Sequence, residues 1–132
     1  MKKAVVIIVL LSFYTCREKD RILNIFIPEG YLGKVKLHFG IDSSKNHMLN
    51  SKDNMYVIFL SGKSLKNFTI KEKNFPGGPY IINYYYYSKD TLYQLNSTTA
   101  DKKKVDTTFW VNGMGASGKN GSIQDFTIEK VR

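Results

Sequence analysis

Alternation of apolar and polar residues with a period of two is the feature that most narrows what this chain can become. In 34–39, Val35, Leu37 and Phe39 fall on one side and Lys34, Lys36 and His38 on the other, the pattern of a strand with one buried and one wet face. Similar β-prone runs cover 21–27, 55–60, 68–73, 80–87, 91–95, 107–111 and 122–131. Residues that favour turns separate them, at Pro28-Glu29-Gly30, Ser61-Gly62, Pro76-Gly77-Gly78-Pro79 and Ser88-Lys89-Asp90. From Ile22 onward no stretch keeps apolar residues at helical spacing for a dozen positions.

Strands spaced this way without intervening helices predict an all-β fold, a small antiparallel β-sandwich of the prealbumin or immunoglobulin kind with about eight strands. A hairpin is expected across 88–90. Pro28 is placed to end a strand, Gly30 and Gly33 to permit a tight reversal, and Tyr31 to pack over it. Two longer irregular segments, 41–54 and 96–106, are the natural places for mobile or binding loops. No internal repeat or linker divides residues 22–132, which read as a single domain.

The first residues follow different rules. Lys2 and Lys3 precede an apolar run from Ala4 to Leu11 that continues through Phe13 and Tyr14 and stops at Thr15 and Cys16. A positive start, a short apolar middle and a polar finish make a secretory signal. A membrane-spanning helix needs about 20 apolar residues, and Arg17, Glu18, Lys19, Asp20 and Arg21 arrive too soon. Cys16 is the single cysteine in 132 residues, so no disulfide forms within the chain.

Leu11-Ser12-Phe13-Tyr14-Thr15-Cys16 resembles the lipobox of bacterial lipoproteins. The resemblance implies a signal peptide over residues 1–15, acylation of Cys16 by chains such as palmitate, and a short tether over 16–21. Phe13 and Thr15 depart from the common Leu and small-residue positions. The looser lipoboxes of Bacteroidota tolerate this, and the Asn-, Lys- and Tyr-rich composition suits such a source. An ordinary cleaved signal is the alternative. Arg17 stands where Asp would signal inner-membrane retention in proteobacteria, so a place in the cell envelope, lipid-anchored at the outer membrane, is expected.

The run Ile25-Phe26-Ile27-Pro28-Glu29-Gly30-Tyr31-Leu32-Gly33-Lys34-Val35 resembles the opening of an uncharacterised bacterial domain family found in small lipoproteins, marked by Ile-Pro-Glu-Gly-Tyr-x-Gly. The likeness extends to a short strand before Gly62 and a Tyr-rich hairpin ending at Leu95. It implies no activity and no catalytic residues.

Net charge is +9, or +7 once Lys2 and Lys3 leave with the signal. Such a surplus favours anionic partners. It is scattered, however, with only Lys102, Lys103 and Lys104 in a run, and a scattered surplus reads as a solvated surface. Single-stranded nucleic acid is the partner that charge and aromatic rings together would suggest, but export argues against it, and no nucleic acid is expected.

Each motif with chemical promise has a plainer reading. Gly113-Met114-Gly115-Ala116-Ser117-Gly118-Lys119-Asn120 approaches a phosphate-binding loop, yet Asn120 replaces the required Ser or Thr and 123–131 alternates like a strand where a helix is needed. A Gly-rich hairpin loop accounts for it. His38 and His47 are the only histidines and lack a second cysteine, so no metal centre is expected. Asp42 and Asp53 bracket a calcium-like loop in which His47 stands where Gly is needed, with Lys45 and Lys52 intruding. No serine sits in a nucleophile elbow. No catalytic residue and no cofactor are assigned.

The excess of aromatic residues carries more information. Nine tyrosines are present, five of them in 80–87. Alternation puts Tyr80, Ile82, Tyr84 and Tyr86 on one face and Ile81, Asn83, Tyr85 and Tyr87 on the other. Two layers cannot bury both faces equally, so Tyr85 and Tyr87, with Tyr93 on the next strand, form a candidate platform beside Lys for a glycan or an envelope protein. Ordinary cross-strand packing is the plainer account. Of Phe109 and Trp110, size favours Trp110 as the core residue. Taken together these features predict a membrane-anchored, non-catalytic binding or envelope-structural module. The alternatives are an envelope enzyme acting on glycan and a basic nucleic-acid-binding β-domain.

Overall fold

The computed structural model describes residues 21–51, 54–62, 65–73, 80–97, 105–117 and 123–131. They contain nine strands: β1 (Arg21–Pro28), β2 (Gly33–His38), β3 (Met48–Asn50), β4 (Met55–Phe59), β5 (Phe68–Thr69), β6 (Tyr80–Tyr87), β7 (Leu92–Asn96), β8 (Val105–Ser117) and β9 (Ile123–Lys130). No helix occurs among the described residues, and so none long and apolar enough to cross a membrane.

All nine strands belong to one sheet in the order β3-β4-β1-β6-β7-β8-β9-β2-β5. The chain is all-β as its alternation requires, but the expected antiparallel sandwich gives way to one mixed, strongly curled half-barrel sheet. β1 lies parallel to both β4 and β6, β7 to β8, and β2 to β5. Antiparallel pairing joins β3 to β4, β6 to β7, β8 to β9 and β9 to β2. The hairpin expected across 88–90 is β6–β7, closed by the Ser88 N–H on the Thr91 carbonyl at 2.9 Å.

The curl lets one sheet make its own core. Leu23, Ile25 and Ile27 of β1, Val35 and Leu37 of β2, Ile58 of β4, Tyr84 and Tyr86 of β6, Leu95 of β7, Val111 of β8 and Phe126 and Ile128 of β9 all point inward and are buried in one cluster. Each fully buried Leu or Ile contributes about 1.5–3 kcal/mol of transfer free energy. The Tyr84 ring lies 4.9 Å from that of Phe126, although two strands separate β6 from β9 in the sheet. Such a contact is possible only where the concave face folds over on itself.

The reversal after β1 is built as its residues suggest. Pro28 ends the strand, Gly30 and Gly33 take φ values of 81° and 115° that favour glycine, and the Tyr31 ring packs on the core. Tyr31 donates its hydroxyl to the Lys34 carbonyl at 2.8 Å, and the Tyr86 hydroxyl reaches across from β6 to the Tyr31 carbonyl. Burial raises the pKa of Tyr31 and Tyr84, and raises that of Tyr86 to about 12 with help from the nearby Tyr93 phenol.

The described part of 41–54 is tied down. Ser44 donates its hydroxyl to the Thr69 carbonyl at 2.9 Å, the Asn46 amide donates to the same oxygen at 3.0 Å, and the Lys71 N–H meets the Asn46 carbonyl at 3.0 Å. The segment ends in β3, a strand absent from the sequence reading. The Met48 N–H then donates to the Glu72 carboxylate at 2.7 Å. Because β3 and β5 are the two ends of the sheet and Glu72 follows β5, this bond and its neighbours form the seam where the curled sheet meets itself.

Candidate functional site

The convex face of the sheet is divided by chemistry. On β2, β8 and β9 the outward positions carry Lys34, Lys36, His38, Thr108, Trp110, Asn112, Asp125, Thr127 and Glu129, with Ile123 the one aliphatic residue among them. Lys34 pairs with Asp125 at 3.0 Å, and that hydrogen bond, aided by the charges of Lys34 and Lys36, holds the Asp125 carboxyl below its ordinary range against a smaller effect of burial. The Trp110 indole N–H donates to Asn112 at 2.8 Å, and Asn112 donates to Glu129 at 3.1 Å. Trp110 therefore lies on the outside, and Phe109 is the ring packed on the core, the reverse of the expectation from size. Position decides it: Val111 is buried, so alternation turns Phe109 inward with it.

Across β3, β4, β1, β6 and β7 the outward positions are Leu49; Met55, Val57 and Phe59; Ile22, Asn24 and Phe26; Ile81, Asn83, Tyr85 and Tyr87; and Leu92 and Gln94. None is charged, in a chain with 20 Lys and Arg and 11 Asp and Glu. Leu49, Phe59, Ile81 and Leu92 are 52%, 50%, 37% and 63% exposed, four of the six large exposed hydrophobics among the described residues. An apolar patch concentrated on one side of a charged molecule marks a surface with a function.

Parallel, in-register pairing of β4, β1 and β6 creates the centre of this patch. Phe26 is the register partner of both Phe59 and Tyr85. The three rings stack, Phe26 on Phe59 with centroids 4.7 Å apart and planes 18° from parallel, and Phe26 on Tyr85 at 5.1 Å and 17°. Tyr87 meets Phe59 edge-on at 6.0 Å and donates its hydroxyl to the Leu60 carbonyl at 2.7 Å. Burial against the stack raises the pKa of Tyr85. Below the rings runs a row of amides in which Gln94 donates to Asn83 at 3.2 Å and Asn83 to Asn24 at 3.1 Å. A groove of about 470 Å³ on the β3 side is lined by Phe26, Leu49, Asn50, Ser51, Val57 and Phe59.

Of the residues singled out in the sequence, Tyr85 and Tyr87 share this face. Tyr93 does not: it is partly buried on the concave side, edge-on to Tyr86 at 5.7 Å. Phe26, Phe59 and Leu49 complete the surface and were missed. No Lys stands among its outward positions, so the expected pairing of rings with Lys is absent there. Cys16 lies outside the described residues, as do Asp53, Lys119 and Asn120. Gly113 to Ser117 extend β8, with a bulge after Asn112 where Gly113 takes φ 42°, so the glycine-rich stretch is strand as far as Ser117. His38 is hydrogen-bonded to Asn67 at 3.1 Å and His47 to Glu72 at 2.9 Å. No three of His, Cys, Asp and Glu form a ligand set among the described residues.

No protein-family model matches the chain, and no curated protein matches it. Among solved structures, the crystal structure of a candidate lipoprotein from Bacillus anthracis superposes with a TM-score of 0.50 at 17% sequence identity, over 83% of this chain and 69% of that one. At that identity the likeness is one of fold, a curled β-domain that this chain shares with a protein described as a lipoprotein, for which no activity is indicated.

Proposed function

We propose that this chain is a lipid-anchored binding domain of a bacterial cell envelope, held by acylated Cys16 and recognising its partner through the uncharged convex face of β3, β4, β1, β6 and β7. The observation that carries the reading is the stacked row Phe59–Phe26–Tyr85 on a face free of charge, bordered by Leu49 and Leu92 at more than half exposure. Soluble domains bury such rings unless a partner covers them. The shared fold with a candidate lipoprotein supports the anchored part of the reading, as does the leader ending at Cys16. The signal over 1–15, the palmitate-type modification and the outer-membrane address belong to the same proposal. Several acyl chains at about 0.8 kcal/mol per buried methylene hold a domain stably where a single chain does not.

The test has two arms in the native cells. Feeding an alkyne-bearing palmitate should label the wild-type chain in the membrane fraction, whereas Cys16→Ser should be unlabelled and released; equal partition of both would remove the anchor. Proximity labelling from the wild type and from a Phe59→Asp, Leu92→Asp double variant should differ in the neighbours recovered. Identical neighbours would remove the convex face as the recognition surface.

A further inference from the structure

We infer that the groove beside Phe59 is a subsite for a neutral glycan, with a pyranose ring adding to the end of the aromatic stack. This rests on the reading of the convex face as a recognition surface and names its partner. Phe26 stacks on one side of the Phe59 ring, and Tyr87 meets that ring at right angles. On the β3 side of the stack, Phe59 and Phe26 line the groove together with Leu49, Val57, Asn50 and Ser51. At about 470 Å³ it falls within the range of small-ligand clefts, about 300–1,000 Å³.

Size, charge and edge chemistry select the occupant. Five strands of three to eight residues, about six on average, set about 4.8 Å apart, make a projected footprint of roughly 400–500 Å², short of the about 800 Å² each partner gives to a stable protein complex. A second copy or a folded protein is therefore poorly served by it. An extended peptide added as a strand needs a free edge, and at β3 the Met48 N–H is already taken by Glu72. Among the described strand residues of this face, no outward position carries a counter-charge for an anionic or cationic ligand. A neutral sugar polymer fits all three conditions: it is narrow, it needs no sheet edge, and it alternates apolar C–H faces with hydroxyls. The C–H face stacks on Phe59, and the hydroxyls meet Asn50 and Ser51. The amides of Asn24, Asn83 and Gln94 keep donors and acceptors beyond those used within their row, because each amide offers two of each.

The full-length chain in detergent should be incubated with insoluble polymers of β-linked glucose, α-linked glucose, β-linked N-acetylglucosamine and mannose, with polygalacturonate as the charged control. The expected result is retention on at least one neutral polymer that is unchanged between about 0.05 and 0.5 M salt. Phe59→Ala and Leu49→Asp should weaken it about tenfold or more, and Phe59→Tyr should retain it. Thermal unfolding followed by circular dichroism checks that the variants fold, and Leu49→Asp, at an exposed site, keeps the test open if Phe59→Ala does not. Retention on polygalacturonate alone, lost in salt, overturns the inference. So does the absence of neutral binding, or binding that both variants keep. A photo-crosslinking residue at position 92 in cells separates this inference from the broader reading. Protein adducts without glycan binding leave the convex face standing and remove the sugar, whereas neither adducts nor binding removes both.

Discussion

Replacing Glu72 tests whether the curled sheet is held at its seam. Its carboxylate accepts the Met48 N–H at 2.7 Å and the His47 ring N–H at 2.9 Å, and its side chain is 34% exposed. A hydrogen bond to a charged acceptor is worth about 1.5–3 kcal/mol, and partial exposure places this one near the lower end. The His47 contact, at the surface, adds about 0.5 kcal/mol. Glu72→Ala should therefore cost about 2 kcal/mol, while Glu72→Gln, which keeps a neutral acceptor for Met48, should cost about 1 kcal/mol. The pH dependence has a definite sign. Burial pushes the carboxyl up, but the bonds from Met48 and His47 outweigh it and leave the folded value below the ordinary one. The contribution is then fully present above an unfolded value of about 4.3 and disappears as pH falls through the lower folded value. Urea titrations of the three proteins at neutral pH and near pH 3 measure this, and exchange of the Met48 amide reports the seam locally. Loss below about 0.5 kcal/mol at neutral pH, or a gap between wild type and Glu72→Ala that widens on acidification, would mean that Glu72 does not hold the seam.

Three further outcomes follow from the packing. Ile25→Ala, at a position with no solvent exposure, should destabilise by about 2–5 kcal/mol in urea titration because the surrounding strands cannot collapse into the space. Tyr86, with its pKa raised to about 12, should remain protonated when exposed tyrosines ionise near pH 10; stability is at its full value below that pH and falls as pH rises towards about 12, which phenolate absorbance and circular dichroism recorded together will show. Lys34→Ala should leave the urea unfolding midpoint essentially unchanged, since its partner Asp125 lies across a solvated surface.

The faces of the strands were legible in the sequence, and their neighbours were not. Alternation gives β6 its bounds at Tyr80 and Tyr87 and sends Tyr84 and Tyr86 inward, because a residue opposite two buried positions cannot share their environment. The same pattern is indifferent to strand direction. A short turn at 88–90 reveals an antiparallel pair, whereas the parallel pairing of β1 with β4 and β6 joins segments about 30 and 60 residues apart with no local signal. That is why a sandwich was expected, and why Phe26 and Phe59 went unremarked. Both stand opposite buried residues in their strands, Ile25 and Ile27 for Phe26 and Ile58 and Leu60 for Phe59, so their outward aim was readable, but their contact depends on the order β4-β1-β6. β3 was hidden for another reason: three residues in a polar segment make a strand only because β4 offers an edge. β8 runs past 111 because its bulge absorbs the glycines.

The proposed anchor bears on how a small recognition face can suffice. Arg21 stands five residues after Cys16, a reach of at most about 17 Å, and Phe26 stands five residues further along β1, about 17 Å more. In the anchored protein the rings therefore lie within about 35 Å of the bilayer. A single sugar stacked on one ring binds weakly, and a face of this size adds only a few hydrogen bonds. Copies held at a shared height over one membrane act differently, because a polymer gripped by one copy is presented to its neighbours at an effective concentration in the millimolar range. On the proposed anchoring and glycan recognition, a repeating ligand and a short tether would together turn a weak site into firm adhesion. A site designed for a solitary soluble protein would need the larger buried area or the paired charges that this face lacks.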